Sequence, residues 1–314
     1  MSKKGIAGVV LGLLVGLVIS CSGARANLVE EFSSAASTCD LKRIQDLLQK
    51  GADINRIGWA PLMSAARHGH VEVVRILLDK GSDINSTDPQ GWTPLMRAIQ
   101  NGYWDVVREL LDKGANLNIK NTNAHTALME AIHGGRTEAV KLLLDKGADM
   151  NARDGLGETA LFRAIRGGRT EAVKLLLVKG VDMNAKDNGN QTVLLRALWW
   201  GRTEAVKLLL DGGADINATG RNGETPLMGA AYYGRVEELK LLLDKGADVN
   251  AKDDQGRTAL IMAAHSGRTE AVRLLLAKGA DVNTAVKGGT ALKLAEKKGL
   301  KEIVELLRAH GAKD

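Results

Sequence analysis

An α-solenoid of stacked helix–turn–helix repeats is the fold class this sequence predicts, and three observations predict it. Gly81, Gly114, Gly147, Gly180, Gly213, Gly246 and Gly279 stand 33 residues apart, and a fixed period of that size marks a stacked repeat architecture. The stretch GRTEAVKLLLDKGADMNARD from Gly135 returns with few changes from Gly168 and Gly201, and more loosely from Gly69, Gly102, Gly234 and Gly267. Within it Ala139, Val140, Leu143 and Leu144 keep the i, i+3, i+4 spacing of one buried helical stripe.

Each repeat opens on a short first helix, as in Thr93-Pro94-Leu95-Met96-Arg97-Ala98-Ile99. Thr93 suits the N-cap, and Pro94 suits the first helical position, where its missing N–H costs nothing. Pro61 and Pro226 are expected in the same slot. A tight turn leads to the second helix, Glu138 to Lys146 in the copy above, and Gly147 follows as a left-handed C-terminal cap. A loop rich in Gly, Asn and Asp then reverses the chain.

About nine such repeats, both caps included, account for residues 27–314. Residues 27–56 read as an N-terminal cap with helices near Leu28–Ala36 and Asp40–Gln49. Residues 57–286 hold seven interior repeats: Ile57–Thr87, Asp88–Asn121, Thr122–Asp154, Gly155–Asp187, Asn188–Gly220, Arg221–Asp253 and Asp254–Val286. Residues 287–314 form a C-terminal cap in which Lys293, Glu296, Lys297 and Lys298 replace apolar positions. Gly51 lies ten steps before Pro61, whereas Gly81 lies thirteen before Pro94, so the first reversing loop must be clipped. Cys39 falls in the slot of the turn glycines Gly69 and Gly102 and reads as a small turn residue.

Residues 1–26 stand apart from the repeats. Lys3 and Lys4 precede an uncharged apolar run of fifteen residues, Gly5 to Ile19, short for a membrane span and suited to the core of a signal peptide. Val18-Ile19-Ser20-Cys21 resembles the lipobox of bacterial lipoproteins, which implies lipidation of Cys21; Ala24-Arg25-Ala26 offers ordinary cleavage instead. An uncleaved anchor is the third alternative. Each places the repeats outside the cytoplasm, in the periplasm or on the outer membrane. Cys39 is the one other cysteine, so no intramolecular disulfide is expected of the processed chain. The formal charge of +6 over 314 residues, which falls to +3 without Lys3, Lys4 and Arg25, is too mild to indicate a nucleic-acid partner.

The repeat resembles the ankyrin repeat on the motifs Gly91-Trp92-Thr93-Pro94-Leu95, Gly223-Glu224-Thr225-Pro226-Leu227 and Gly256-Arg257-Thr258-Ala259-Leu260, together with the Leu-Leu-Leu helices and the Gly-Ala-Asp steps. The resemblance implies helix–turn–helix units joined by β-hairpin loops. One departure is consistent. The histidine that family carries after Thr-Pro-Leu is replaced by Met63, Met96, Met129, Phe162, Leu195, Met228, Ile261 and Lys293, so apolar contact between repeats is expected there.

Catalytic and metal signals are weak. His68 and His70 are the one close histidine pair, and the recurring Asp79, Asp112, Asp145, Asp211 and Asp244 read as a solvated column. No nucleophile elbow, phosphate loop or dinucleotide fingerprint appears. We therefore expect no enzyme activity, cofactor or metal. Asn85 and Asn217 read as structural loop residues, and the column Arg136, Arg169, Arg202, Arg235 and Arg268 as loop packing.

Specificity in a repeat scaffold lies in what does not repeat. Positions out of phase with the buried Leu161, Ala164 and Ile165 hold Arg97, Glu130, Arg163, Arg166, Arg196, Trp199, Trp200, Tyr232 and Tyr233. In the ankyrin arrangement these project toward the concave side, and Trp59 and Trp92 fall on loop tips just before a helix. The resemblance implies a non-enzymatic protein-binding scaffold, here in the cell envelope and monomeric, touching the membrane only through its N-terminal segment. Its expected partner is an apolar protein segment with acidic flanks. The alternative is a glycan or cell-wall binding module that stacks sugars on Trp199, Trp200, Tyr232 and Tyr233.

Overall fold

The computed structural model describes residues 27–313, so the expected export segment and Cys21 lie outside the described residues. The chain divides into two compact bodies between Ala148 and Asp149. The N-terminal body holds α1 (27–37), α2 (Leu41–Gln49), α3 (Ile54–Ile57), α4 (Ala60–His68), α5 (Val71–Asp79), α6 (Pro94–Asn101), α7 (Trp104–Asp112), α8 (Ala127–His133) and α9 (Thr137–Asp145). Its first helices pack in a row, α4 on α6 and α6 on α8, while α5 packs on α7 behind them.

The C-terminal body repeats the scheme with α10 (Ala160–Arg166), α11 (Thr170–Val178), α12 (Val193–Trp199), α13 (Thr203–Asp211), α14 (Pro226–Tyr233), α15 (Val236–Asp244), α16 (Ala259–His265), α17 (Thr269–Ala277), α18 (Ala291–Lys297) and α19 (Lys301–Ala309). Here α10, α12, α14, α16 and α18 form the front row, and α11, α13, α15, α17 and α19 the back row. Two short strands, β1 (Ala285–Val286) and β2 (Gly289–Thr290), pair antiparallel at the last loop. The loop tips from Asp88 to Arg257 close as hairpin turns without named strands; Asp187 N–H, for example, donates to the Gln191 carbonyl at 3.0 Å.

The front helices begin where threonine side chains accept the N–H three residues on, as Thr93 does from Met96 and Thr225 from Met228. Thr159 occupies the same position without that bond. The first repeat differs. Its clipped loop becomes the helical turn α3, α4 starts at Ala60, and Pro61 therefore stands second in the helix rather than first, behind Trp59.

The substituted histidine slot is apolar packing, as expected. Met63, Met96, Met129, Phe162, Leu195, Met228 and Ile261 are buried, and only the capping Lys293 is exposed. The helical stripe is also where the spacing put it, with Ala139, Val140, Leu143 and Leu144 all buried. Cys39 adopts a left-handed backbone, φ +58°, which explains why glycine fills that slot in later repeats.

Polar ladders join successive repeats. Asn184 Oδ1 accepts Asp215 N–H at 3.0 Å, Asn217 accepts Asp248 N–H at 3.2 Å, and Asn85 accepts Asn116 N–H at 2.8 Å. The aspartate column pairs with lysines one repeat on, Asp79 with Lys113 and Asp211 with Lys245. These pairs are solvent-exposed and contribute little each. The arginine column sits at the start of the back helices, and its members bond carbonyls at the end of the front helix one repeat earlier. Arg202 donates to the Arg166 carbonyl at 2.7 Å and Arg268 to that of Tyr232 at 3.2 Å.

Candidate partner-binding site

The front helices and loop tips carry the non-repeating residues. Of the sequence-predicted set, Trp59, Trp92 and Arg97 belong to the N-terminal body, and Arg163, Arg166, Arg196, Trp199, Trp200, Tyr232 and Tyr233 to the C-terminal one. Trp59 is exposed at the start of α4, and Trp92 is half-buried with the Arg97 guanidinium 4.5 Å over its ring.

The arginines expected to supply free positive charge are already neutralised. Each loop tip of this type carries a buried aspartate whose Oδ1 binds two backbone N–H groups and whose Oδ2 faces an arginine nine residues on. Asp187 Oδ1 accepts Gly189 and Gln191 N–H at 2.8 and 3.0 Å, while Oδ2 accepts Arg196 Nε–H at 2.6 Å. Asp88 holds Arg97 and Asp154 holds Arg163 in the same way. Arg166 pairs with Glu158, whose side chain is buried. Arg97, Arg163, Arg166 and Arg196 therefore act first as internal partners of loop carboxylates, which removes the basis for a strongly positive rim.

These aspartates escaped the sequence reading, although a signal was present. In five repeats residues nine apart change together: Asp88 with Arg97, Asn121 with Glu130, Asp154 with Arg163, Asp187 with Arg196, Gly220 with Gly229; in the next, Asp253 stands nine before Met262 and takes Arg257, four residues on, instead. Where Asn121 replaces the acid, Glu130 takes the place of the cation, so that acceptor and donor exchange sides. Glu130 accepts from Asn121 Nδ2 at 3.0 Å and lies 2.9 Å from His125 Nδ1. Burial pushes its carboxyl upward, but the His125 and Asn121 bonds and the His133 charge outweigh it and hold it below the ordinary value.

The aromatic residues pair within each repeat. Trp199 and Trp200 stack at 6.4 Å between ring centroids, and Tyr232 meets Tyr233 edge-on at 5.1 Å. Trp199, Tyr232 and Tyr233 keep 49%, 43% and 37% of their surface exposed, whereas the neighbouring Leu198 and Ala231 are fully buried. Arg196 covers one side of Trp199 at 4.7 Å, and Arg166 approaches Trp200 at 5.5 Å.

Clefts open beside this ridge in the C-terminal body. One of about 430 Å³ lies among Leu156, Asn188, Trp199 and Trp200, and one of about 190 Å³ among Gln191, Leu195, Arg196, Trp199, Glu224, Gly229 and Tyr233. A third, of about 600 Å³, is lined by Tyr232, Ile261, Met262, Val286 and Leu294. Burial raises the Glu224 carboxyl above its ordinary value, opposed by the Arg257 charge and a Gln191 hydrogen bond and reinforced by Asp253. Burial likewise raises the Tyr233 phenol, with Glu224 adding to the effect. Among the described residues, no group of three or more His, Cys, Asp or Glu side chains is placed to hold a metal. None of the described helices is long and apolar enough to cross a membrane.

Comparison with known proteins agrees with this architecture. A family model described as ankyrin repeats (3 copies) matches residues 32–121, 81–154, 109–187, 128–220, 177–253 and 227–314. The ankyrin repeat, SAM and basic leucine zipper domain-containing protein 1 of Carollia perspicillata is 44% identical over 59 residues, 18% of this chain and 12% of that protein. The 2-5A-dependent ribonuclease of Mus musculus is 41% identical over 69 residues, 20% of this chain and 9% of that protein. Each match thus spans a small fraction of the relative's length. Among solved structures, the ankyrin repeat domain of Bcl-3, a member of the IkappaB protein family, superposes with a TM-score of 0.64 at 31% identity. That superposition covers 70% of this chain and 99% of that one.

Proposed function

This chain belongs to the ankyrin-repeat family, whose members are typically non-enzymatic modules that bind proteins, and from that premise we propose that it is an envelope scaffold holding a protein partner on its Trp199–Trp200–Tyr232–Tyr233 ridge. The observation that carries this reading is a pair of aromatics at equivalent positions of two adjacent repeats, with Trp199, Tyr232 and Tyr233 exposed and Trp200 half-buried, among described residues whose other large apolar side chains are mostly buried. Exposed apolar area bordered by polar groups favours association, and Trp, Tyr and Arg dominate binding hot spots. The partner segment that fits the ridge is apolar. Acidic flanks would have to compete with Asp187 and Glu158 for Arg196 and Arg166.

Capture by crosslinking in intact cells, followed by affinity measurement on the captured partner, tests the reading. Trp200→Ala and Tyr233→Ala are each expected to cost about 2 kcal/mol or more of binding, and Arg268→Ala well under that. Aromatic variants that unfold earlier yet keep their affinity would make the ridge a packing element. Retention on a glycan array with no protein captured would favour sugar stacking instead.

The envelope location rests on the apolar run Gly5 to Ile19 and the cleavage patterns at Cys21 and Ala26. Under the lipoprotein reading, Cys21→Ala abolishes lipid labelling and releases the protein from the membrane fraction. A soluble native chain starting at Asn27 would replace that reading with ordinary secretion.

A further inference from the structure

Among the described residues, Glu224 is a half-buried loop-tip carboxylate without a cation. Asp88, Asp154, Asp187, Asp253 and Glu158 pair with Arg97, Arg163, Arg196, Arg257 and Arg166 respectively. Glu158 is the closest counterpart of Glu224, standing immediately before the front-helix threonine two repeats earlier, and its partner Arg166 lies eight residues on. The residue eight after Glu224 is Tyr232, and the position that carries Arg163 and Arg196 in the two preceding repeats is Gly229. Among the described residues no Arg or Lys forms an ion pair with Glu224, and Arg257, the cation whose charge reaches it, is bonded to Asp253.

The missing side chain at residue 229 helps to open the cleft of about 190 Å³. Packing does not require glycine there. A Cβ on Gly229 would approach no atom closer than Glu224 Oε1 at 3.5 Å and Leu195 Cδ2 at 3.7 Å, and its backbone is ordinary helix. Glycine inside a helix is destabilising, so the position forgoes stability for space. Gln191 borders the same cleft, and its Oε1 is buried with no hydrogen-bond partner among the described residues. Glu224, which has a Gln191 hydrogen bond but no cation, and the unpartnered Gln191 Oε1 thus border one cleft together with Trp199, Tyr233 and Arg196, whose guanidinium is already committed to Asp187. The scaffold elsewhere lays guanidinium groups on such rings, Arg97 on Trp92 and Arg196 on Trp199.

We propose that this cleft receives an arginine side chain of the bound protein, the guanidinium donating to Glu224 and stacking between Trp199 and Tyr233 where the other repeats place an arginine of their own. The inference rests on the ridge as a partner surface and names one anchor of that partner. A planar five-donor cation satisfies both acceptors and both rings at once, which an ammonium does not. Burial raises the half-buried Glu224 carboxyl above its ordinary value, and a guanidinium beside it would act in the opposite direction.

The test uses the full chain and N-acetyl-arginine amide as probe, followed by Trp and Tyr signals in a titration. Saturable binding is expected with a Kd on the order of 1–10 mM, and the neutral isostere N-acetyl-citrulline amide should bind at least about tenfold more weakly. Glu224→Gln should erase that difference. Gly229→Arg should abolish binding by filling the cleft from within. Both variants should unfold at or above the native midpoint, since each relieves an uncompensated carboxylate, so lost binding cannot be ascribed to lost fold. Equal binding of arginine and citrulline amides, no saturation by about 50 mM, or unchanged binding in Gly229→Arg would each overturn the proposal. Stronger binding of N-acetyl-lysine amide or of free arginine would overturn it too, the first by selecting an ammonium and the second by making the cleft a small-molecule site. Trp200→Ala separates the two readings: it should weaken the protein partner while leaving the arginine amide unaffected. Loss of partner affinity in Trp200→Ala, with no arginine binding to the native chain, would leave the ridge standing without the anchor.

Discussion

Asp187→Ala is expected to cost about 3 kcal/mol of folding stability. Its side chain is 4% exposed and does three jobs at once: Oδ1 satisfies the N–H groups of Gly189 and Gln191, and Oδ2 pairs with Arg196. Truncation leaves two backbone donors without their acceptor and the guanidinium without its carboxylate. The Arg196 side chain keeps 21% exposure, so water takes up part of that deficit and the estimate sits at the low end for a broken buried pair. Removing Arg196 as well should recover part of the loss. The chain itself contains that arrangement at Gly220 and Gly229, where acid and cation are both absent and Gly220 N–H still donates to the Glu224 carbonyl at 2.8 Å. A double-mutant cycle in urea measures the coupling, and additive losses would show that the pair does not act as a unit.

Leu143→Ala should cost about 2–5 kcal/mol, since Leu143 is fully buried on the inner side of α9. A repeat buries its stripe only against its neighbours, so a cavity in an interior repeat weakens the interfaces on which cooperativity depends. Leu306, half-buried in the capping helix α19, provides the contrast. Leu306→Ala should cost about 1 kcal/mol, because less of its surface leaves water on folding. A Leu143→Ala loss below about 0.5 kcal/mol in equilibrium unfolding would mean that the stripe had been assigned to the wrong helical phase.

Local features were the ones legible in advance. Proline and threonine positions marked the front-helix starts because capping is decided within four residues. The left-handed cap at Gly147, φ +83°, was equally readable, since backbone sterics act on single residues, whereas Cys39 could be read only as a small turn residue. The start of α4 was misjudged by one position because the clipped loop folds into α3, a choice made by burial of Ile54 and Ile57 rather than by local preference.

Side-chain direction at the candidate site was harder to read. Helical phase placed Arg97, Arg163 and Arg196 outside the buried stripe, and they do lie there, yet each turns back to a carboxylate that phase alone does not reveal. A long flexible cation goes where the potential is lowest, and that potential comes from a loop folded over the helix start. The paired changes at positions nine apart carried this information, but only as a correlation between repeats.

By itself, then, the sequence determined the repeat period, the helix caps, the buried stripe and the placement of aromatics at residues 199, 200, 232 and 233 outside that stripe, because each follows from spacing along the chain. Tertiary structure alone decided which charges are neutralised and where a cleft remains, leaving Glu224 without a cation beside Gly229. The reason is physical: ion pairing and cavity volume depend on distances between side chains of different loops and helices, and those distances exist only once the repeats have stacked.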